Sequence, residues 1–150
     1  MTTECEGSAV STVIVEHLVM AAHGPDVVLG CQVAELPHGA NPVAHAQAAY
    51  PGSFAHSTSW RWTDAGVVLT FAHVLPDESS LPPGLDSVRL SAYDLERHQV
   101  ACHAVRHLHF LERTDESVAS LQGFDDFWAY ASRVADYHYP AVAGLLQFTA

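Results

Sequence analysis

The alternating segment at residues 53–62, with the apolar run that follows it, constrains the fold more than any other part of the chain. Large side chains alternate there with small ones, which is the two-residue period of a strand. Residues 63–66 (TDAG) have the composition of a turn, and residues 67–75 again read as a strand. The two strands are therefore predicted to form a β-hairpin.

The register of this hairpin follows from burial, because a slip of one residue moves a whole set of side chains to the other face. A four-residue loop pairs Trp62 with Val67 and collects the large apolar side chains on one face. A three-residue loop with Gly66 in the left-handed conformation would instead bring serines to that face. We favour the four-residue loop, which sets four further pairs: Trp60 with Leu69, Thr58 with Phe71, Phe54 with Leu75, and His56 with His73.

The remaining segments place strands early in the chain and helices late. Strands are predicted at residues 12–20, 27–36 and 88–90, with a turn at 23–26 and a short alanine-rich helix at 43–50. A helix capped by Asp94 is predicted to reach Arg113, followed by a turn ending at Gly123, a helix over 124–137 and a final turn at Pro140. This order predicts an α+β fold, an antiparallel or mixed sheet built from hairpins with C-terminal helices packed on it.

Length and charge limit the organisation and the partners of the chain. We expect one domain over residues 1–150, with residues 1–10 as a flexible N-terminus. The chain has seventeen acidic residues, six arginines and no lysine. Its net charge of −11 would repel phosphate backbones and anionic membranes. No basic leader or membrane span is visible, and three widely spaced cysteines suit free thiols in a reducing cytoplasm.

Histidine is unusually frequent, with 11 in 150 residues. His103 and His107 lie one helical turn apart, a spacing with which zinc-binding helices present two imidazoles to one divalent ion. The alternative is that both lie at the edge of the core and hydrogen-bond neighbouring loops. His98, Cys102 and His109 are expected on the solvent side of the same helix.

The hairpin holds the candidate ligand-binding residues. Opposed histidines at positions 56 and 73 on an apolar face predict a pocket lining or a ligand pair. Alternatively, His56 and His73 are neutral and hydrogen-bonded to the backbone or to the hydroxyl of Thr58. Trp60 and Trp62 are expected in the core, and the alternative is a platform on which a base or a sugar stacks.

Three short sequences, HSTSWRW (56–62), VVLTF (67–71) and HAVRHL (103–108), resemble those of small uncharacterised bacterial proteins. The order of hairpins and helices over residues 12–112 also resembles the Nudix fold. The Nudix signature would need an arginine and a cluster of glutamates that hold magnesium, and residues 42–50 contain neither. The resemblance therefore implies a fold and does not carry over the hydrolysis of nucleoside diphosphate derivatives.

No motif identifies a reaction, since GxGxxG, P-loop, GxSxG, HExxH and EF-hand patterns are all missing. We therefore predict a cytoplasmic domain that binds a small molecule or a protein without catalysis. One alternative is a zinc-dependent hydrolase in which His103 and His107 are joined by one of three further ligands: His56, His73 or Glu112. The other is an obligate homo-oligomer whose interface contains exposed tyrosines: Tyr130, Tyr137 and Tyr139.

Overall fold

A computed structural model describes residues 12–136, which form one five-stranded sheet with helices on both faces. The strands are β1 (Val13–His23), β2 (Asp26–Glu35), β3 (Phe54–Thr63), β4 (Gly66–Leu75) and β5 (Ser87–Leu90). The helices are α1 (Pro42–Ala49), α2 (Gln99–Thr114), α3 (Glu116–Ala119) and α4 (Asp125–Asp136), with 3₁₀ turns at Glu78–Ser80 and Asp94–Arg97. The α+β prediction is confirmed, and the expected N-terminal segment and the turn at Pro140 lie outside the described residues.

The strand order is β3-β4-β1-β2-β5, and β1 runs parallel to β4 while every other pair is antiparallel. Both predicted hairpins are present, β1 with β2 and β3 with β4. The parallel contact between their inner strands joins them into one mixed sheet. Within residues 12–136, no helix is both long enough and apolar enough to cross a bilayer.

The two faces of the sheet are covered by different elements. The helix face packs against α2 and α4, and its buried strand side chains are Leu18, Met20, Val27, Leu29, Ala72 and Val74. The α1 face packs against α1 and the loop after β4, and its buried strand side chains are Val15, Val19, Ala21, Phe71 and Leu75. Each large apolar side chain buried in this way contributes roughly 1.5–3 kcal/mol to the folded state.

Helix α1 is held by its ends more than by its packing. The side-chain oxygen of Asn41 accepts a hydrogen bond from the backbone N–H of Ala44 at 3.0 Å, and Pro42 occupies the first turn, where its missing N–H costs nothing. Of the eight residues of α1, Ala46 alone is fully buried. The helix is therefore one of the more weakly attached elements of the described chain.

The long helix begins later than predicted. Asp94 does not cap it, because the backbone N–H of Asp94 donates to the hydroxyl of Ser91 at 3.1 Å and opens a 3₁₀ turn. His98, at φ −110° and ψ 80°, interrupts the helical path, and α2 starts at Gln99. The prediction that Cys102 faces solvent is wrong: its exposure is 2%, because α4 packs beside α2 and widens the buried side of that helix.

The β3–β4 hairpin confirms two of the five predicted pairs. Trp62 pairs with Val67 and Trp60 with Leu69, as the four-residue loop requires. A β-bulge between Ser57 and Ser59 then shifts the remaining pairs by one residue. The observed pairs beyond it are Ser57 with Phe71, His56 with Ala72, Ala55 with His73, and Phe54 with Val74.

The bulge overturns the predicted opposition of His56 and His73. His56 lies on the helix face beside Ala72, whereas His73 lies on the α1 face beside Ala55. The extra residue is Thr58, which is buried and whose hydroxyl donates to the carbonyl of Thr70 at 3.4 Å. Strand alternation alone cannot reveal such an insertion, since it leaves the sequence pattern on either side intact.

The tryptophans do not lie in the core. Trp60 and Trp62 point to the α1 face as partners of Leu69 and Val67, but they belong to the edge strand β3. The short helix α1 buries Ala46 against this face and leaves the two indoles 62% and 64% exposed. The prediction of buried tryptophans is wrong because the face they share is covered only toward its centre.

Gly66, at the start of β4, is required by a close approach of the backbone. Its φ is +134°, and a Cβ atom there would lie 2.2 Å from the carbonyl oxygen of Thr12, the same oxygen that accepts from the N–H of Val67. We expect Gly66→Ala to lower the free energy of unfolding by more than about 2 kcal/mol in urea titrations.

The matched control is Gly84→Ala, at a glycine with φ +87° that has open space around it. Its φ is also positive but it lacks the clash, so the cost of the substitution should be smaller, about 1 kcal/mol. Equal losses for the two variants would contradict the account of Gly66.

Candidate functional site

Two histidines meet in the middle of the α1 face. His17 of β1 and His73 of β4 lie on parallel neighbouring strands and are 4% and 0% exposed. Nδ1 of His17 lies 2.8 Å from Nε2 of His73, a hydrogen bond between the two rings. We call these two residues the buried histidine pair.

The hydrogen bond assigns a tautomer to each ring of the pair. Nδ1 of His73 is buried and has no hydrogen-bond partner. If Nε2–H of His73 donates to His17, this orphan atom is a lone pair; in the opposite direction it would be an unpaired N–H. An unsatisfied acceptor is the less costly of the two, so we assign His73 as the donor.

Helix α1 and the residue after it close over the pair. The ring centroid of Tyr50 lies 5.5 Å from that of His17 and 4.7 Å from that of His73. The hydroxyl of Tyr50 donates to Oε1 of Gln32 on β2, which holds the phenol ring in place. His45 of α1 brings a third imidazole, with its centroid 6.1 Å from that of His17.

Both rings of the pair are uncharged near neutral pH. Burial, and then the neighbouring His17, lower the pKa of His73 to about 4. Burial likewise lowers the pKa of His17 below its usual value, with a smaller contribution from His45. A histidine charge in this place would lack both water and a carboxylate partner, which is the physical cause of the two shifts.

Three further histidines form a second cluster on the helix face, which we call the helix-side histidines: His56, His103 and His107. Nε2–H of His103 donates to the carbonyl of Thr58 in the bulge at 3.2 Å, and Nδ1–H of His56 donates to the carbonyl of Ser57 at 2.7 Å. The ring centroid of His107 lies 5.3 Å from that of His56 and 6.3 Å from that of His103.

The helix-side histidines are half-buried, and two of them show lowered pKa values. Burial is the largest cause of the lowered pKa of His103, which the hydrogen bond to Thr58 partly offsets. Burial also lowers the pKa of His107, followed by the charges of His56 and His103. The sequence left two alternatives for His103, a metal pair with His107 or a hydrogen bond to a neighbouring loop. In the structure His103 bonds a backbone carbonyl and also lies beside the imidazole of His107.

The structure separates the residues predicted to form one site. His56, His103 and His107 come together, while His73 lies on the other side of the sheet and belongs to the buried pair. Across residues 12–136, no group of three or more His, Cys, Asp or Glu side chains is placed so that it could hold a metal ion. The zinc hydrolase interpretation therefore lacks a completed ligand set in this part of the chain.

The tyrosine interface of the oligomer interpretation is wrong at the position that the structure describes. Tyr130 is 0% exposed and lies on the side of α4 that packs on the core, where its hydroxyl donates to the carbonyls of Leu90 and Ser91. Tyr137 and Tyr139 lie outside the described residues.

Sequence reasoning missed three residues of the buried site: His17, His45 and Tyr50. One signal for His17 was present, since the alternation of β1 sets it between Val15 and Val19 on an apolar face. Its contact with His73 depends on parallel pairing between strands some fifty residues apart, which no local pattern reveals.

No protein-family model, curated protein or solved structure matches this chain. The resemblance to small bacterial proteins and to the Nudix fold therefore stays a prediction. The interpretation of both histidine clusters depends on their geometry and chemistry alone.

Acid should destabilise the fold through the buried histidine pair. Because folding lowers both pKa values, the unfolded chain binds more protons, and stability falls as the pH drops below the unfolded value of about 6.5. For His73 the loss continues to its folded pKa of about 4. Each protonation that folding suppresses costs up to about 1.4 kcal/mol per pH unit.

The measurement is a thermal melt at pH 7.5, 6.5, 5.5 and 4.5 for the native chain and for His17→Leu combined with His73→Leu. The double variant should lose less melting temperature on acidification, and the remaining slope reports His103 and His107, whose pKa values are also lowered. His38→Gln, at an exposed histidine, is the control. A melting temperature that is unchanged or higher at pH 5.5 would show that the pair does not titrate as described.

We expect a zinc titration followed by calorimetry to show no binding, because two imidazoles are not a complete ligand set. Should zinc bind through His103 and His107, His103→Ala would abolish that binding, because it removes one of two imidazoles on the same side of α2. His109→Ala should leave binding unchanged, since two residues along a helix turn a side chain away from His107. Equal loss from both substitutions would contradict this geometry.

Proposed function

We propose that this chain is a cytoplasmic binding domain, without catalysis of its own, that docks an extended basic segment of another protein along β3. The observation that carries the proposal is the pair of exposed tryptophans on that strand. Trp60 and Trp62 are two residues apart on one face, 62% and 64% exposed. Their ring centroids lie 6.2 Å apart in an edge-to-face arrangement.

Two neighbouring exposed indoles are costly on a surface that stays in water. Tryptophan is the residue most enriched among the dominant contacts of protein interfaces, and each indole offers a large apolar area together with an N–H donor. A single exposed aromatic residue needs no explanation, but two on adjacent outward positions of one strand form a continuous apolar patch. The patch supports a role in recognition.

The position of β3 supports docking by strand addition. This strand is at the edge of the sheet, pairing with β4 on one side and with no other strand of residues 12–136. An extended segment can add to such an edge through backbone hydrogen bonds, while its alternate side chains contact the tryptophans. The main-chain bonds supply affinity, and the indoles supply specificity.

Charge supports a basic partner. The chain carries a net charge of −11, and the β3–β4 turn beside Trp62 contains the exposed carboxylate of Asp64. Arginine or lysine of an incoming segment would be attracted by this field and would stack on the indole faces. A second copy of the same chain is disfavoured as the occupant, because two domains of charge −11 repel each other.

The cytoplasmic part of the proposal is supported by the cysteines. Cys31 is an exposed free thiol on β2, while Cys102 is buried. Burial and the neighbouring Glu16 raise the pKa of Cys31 to about 11, which keeps it in the thiol form, and an exposed free thiol is typical of a reducing compartment.

The test uses two synthetic octapeptides, one alternating arginine with valine and one alternating glutamate with valine. We expect the arginine peptide to bind, with a change in tryptophan fluorescence, and to weaken as salt is raised. Trp60→Ser and Trp62→Ser should each weaken binding about tenfold or more, the effect of losing an interface anchor. Phe110→Ser is the matched control, at an aromatic residue of α2 that is 60% exposed.

Three results would contradict the proposal: no binding of either peptide, equal binding of both, or equal loss from the Phe110 and tryptophan variants. Sedimentation at several concentrations tests whether a second copy of the chain occupies the β3 edge instead. A stable dimer that Trp60→Ser dissociates would assign the edge to a second copy of the chain instead.

A further inference from the structure

The segment that covers the α1 face has the features of a hinged cover. It runs over residues 40–51 and includes α1 and Tyr50. Gly39, at φ +80°, precedes it and Gly52, at φ +86°, follows it, and neither has any atom within 4 Å of the place where a Cβ would be. Two unhindered glycines in the left-handed region leave the backbone free to rotate at both ends of the segment.

Two buried side chains, Ala46 and Tyr50, attach the cover to the sheet. Ala46 packs against Val15 and Phe71, and Tyr50 packs over the buried histidine pair in a cluster with Val19, Ala21 and Leu75, with its hydroxyl bonded to Gln32. The other residues of α1 are exposed or half-buried. By comparison, α2 and α4 enclose the main core with two long helices, so the cover is the element that a local change at the histidines would release first.

Among the described residues, no carboxylate contributes to the pKa of either ring of the pair beneath the cover. The titratable and polar groups that face it are His45 and Tyr50 from the cover and Gln32 from β2. The strand partner on the β3 side is Ala55, and Glu78 in the loop after β4 is engaged by His23 instead. The neighbouring histidines oppose protonation of the pair: His45 lowers the pKa of His17, and His17 lowers the pKa of His73.

We propose that residues 40–51 form an acid-sensitive latch, in which protonation of the His17–His73 pair releases α1 from the sheet and exposes the α1 face. A proton on either ring converts the hydrogen bond of the pair into a buried charge that needs water. Water reaches it when the cover swings out about Gly39 and Gly52.

The step is a protonation equilibrium with no covalent change. The closed state holds both rings neutral, with one shared hydrogen bond and one unpartnered nitrogen on His73. The open state lets both rings take protons from water, and closing expels those protons again. Acid therefore shifts the population toward the open state because the two states differ in the number of bound protons.

The test is hydrogen–deuterium exchange of the full chain, followed by mass spectrometry at pH 7.5, 6.0 and 5.0 and corrected for the intrinsic exchange rate. Protection of amides in α1 should fall at least tenfold by pH 5.0, while amides in the middle of α2 keep theirs. His17→Leu combined with His73→Leu fills a similar volume without titrating, and should make α1 protection independent of pH. His38→Gln, outside the pair, should behave as the native chain does.

A second variant keeps the test decisive if the double substitution impairs folding. His45→Gln changes a half-buried residue of α1 and removes the imidazole that opposes protonation of His17, so the cover should open at higher pH than in the native chain. The proposal is overturned if α1 stays protected at pH 5.0, if it is already unprotected at pH 7.5, or if α1 and α2 lose protection together. The last result would indicate global acid unfolding with no local latch.

Discussion

The parallel pairing of β1 with β4 is the contact on which the other features depend. It joins two hairpins that are separate along the chain, and it brings residues far apart in sequence to neighbouring positions on both faces. On the α1 face it sets His17 against His73. On the helix face it brings Glu16 to Thr70 and to Arg61, whose guanidinium forms a half-buried ion pair with Glu16 at 3.0 Å. Without this pairing neither polar arrangement would exist.

The bulge at Thr58 determines which side of the sheet each group of β3 occupies. Before it, His56 faces the helices, and after it, Trp60 and Trp62 face the opposite side. An unbroken strand would have placed all of them on one face. The Thr58 carbonyl in the bulge accepts from His103, so the same irregularity turns His56 toward the helices and anchors α2 to the edge strand.

The sequence predicted the parts that rest on local patterns. Alternation located β3 and β4 with their turn, turn residues located β1 and β2, and the alanine-rich run at 43–50 located α1 within one residue at each end. It failed where tertiary contacts decide. His56 and His73 are not paired, because the bulge inserts one residue into β3. Cys102 is buried because α4 packs beside it, and the tryptophans are exposed because their strand is at the edge of the sheet.

The histidines of this chain are not scattered at random, and composition alone does not show how they are grouped. Five of these side chains lie within two clusters on opposite faces, each between the sheet and a helix, and the ring N–H groups of His56, His73 and His103 donate to backbone carbonyls or to another ring. In a chain of charge −11, the acidic side chains of the described residues are exposed or half-buried, and the imidazoles supply fully buried polar contacts. The buried histidine pair is neutral at pH 7 and becomes a buried charge in acid, so we expect α1, which has few other contacts with the sheet, to be released first, while the apolar core retains α2.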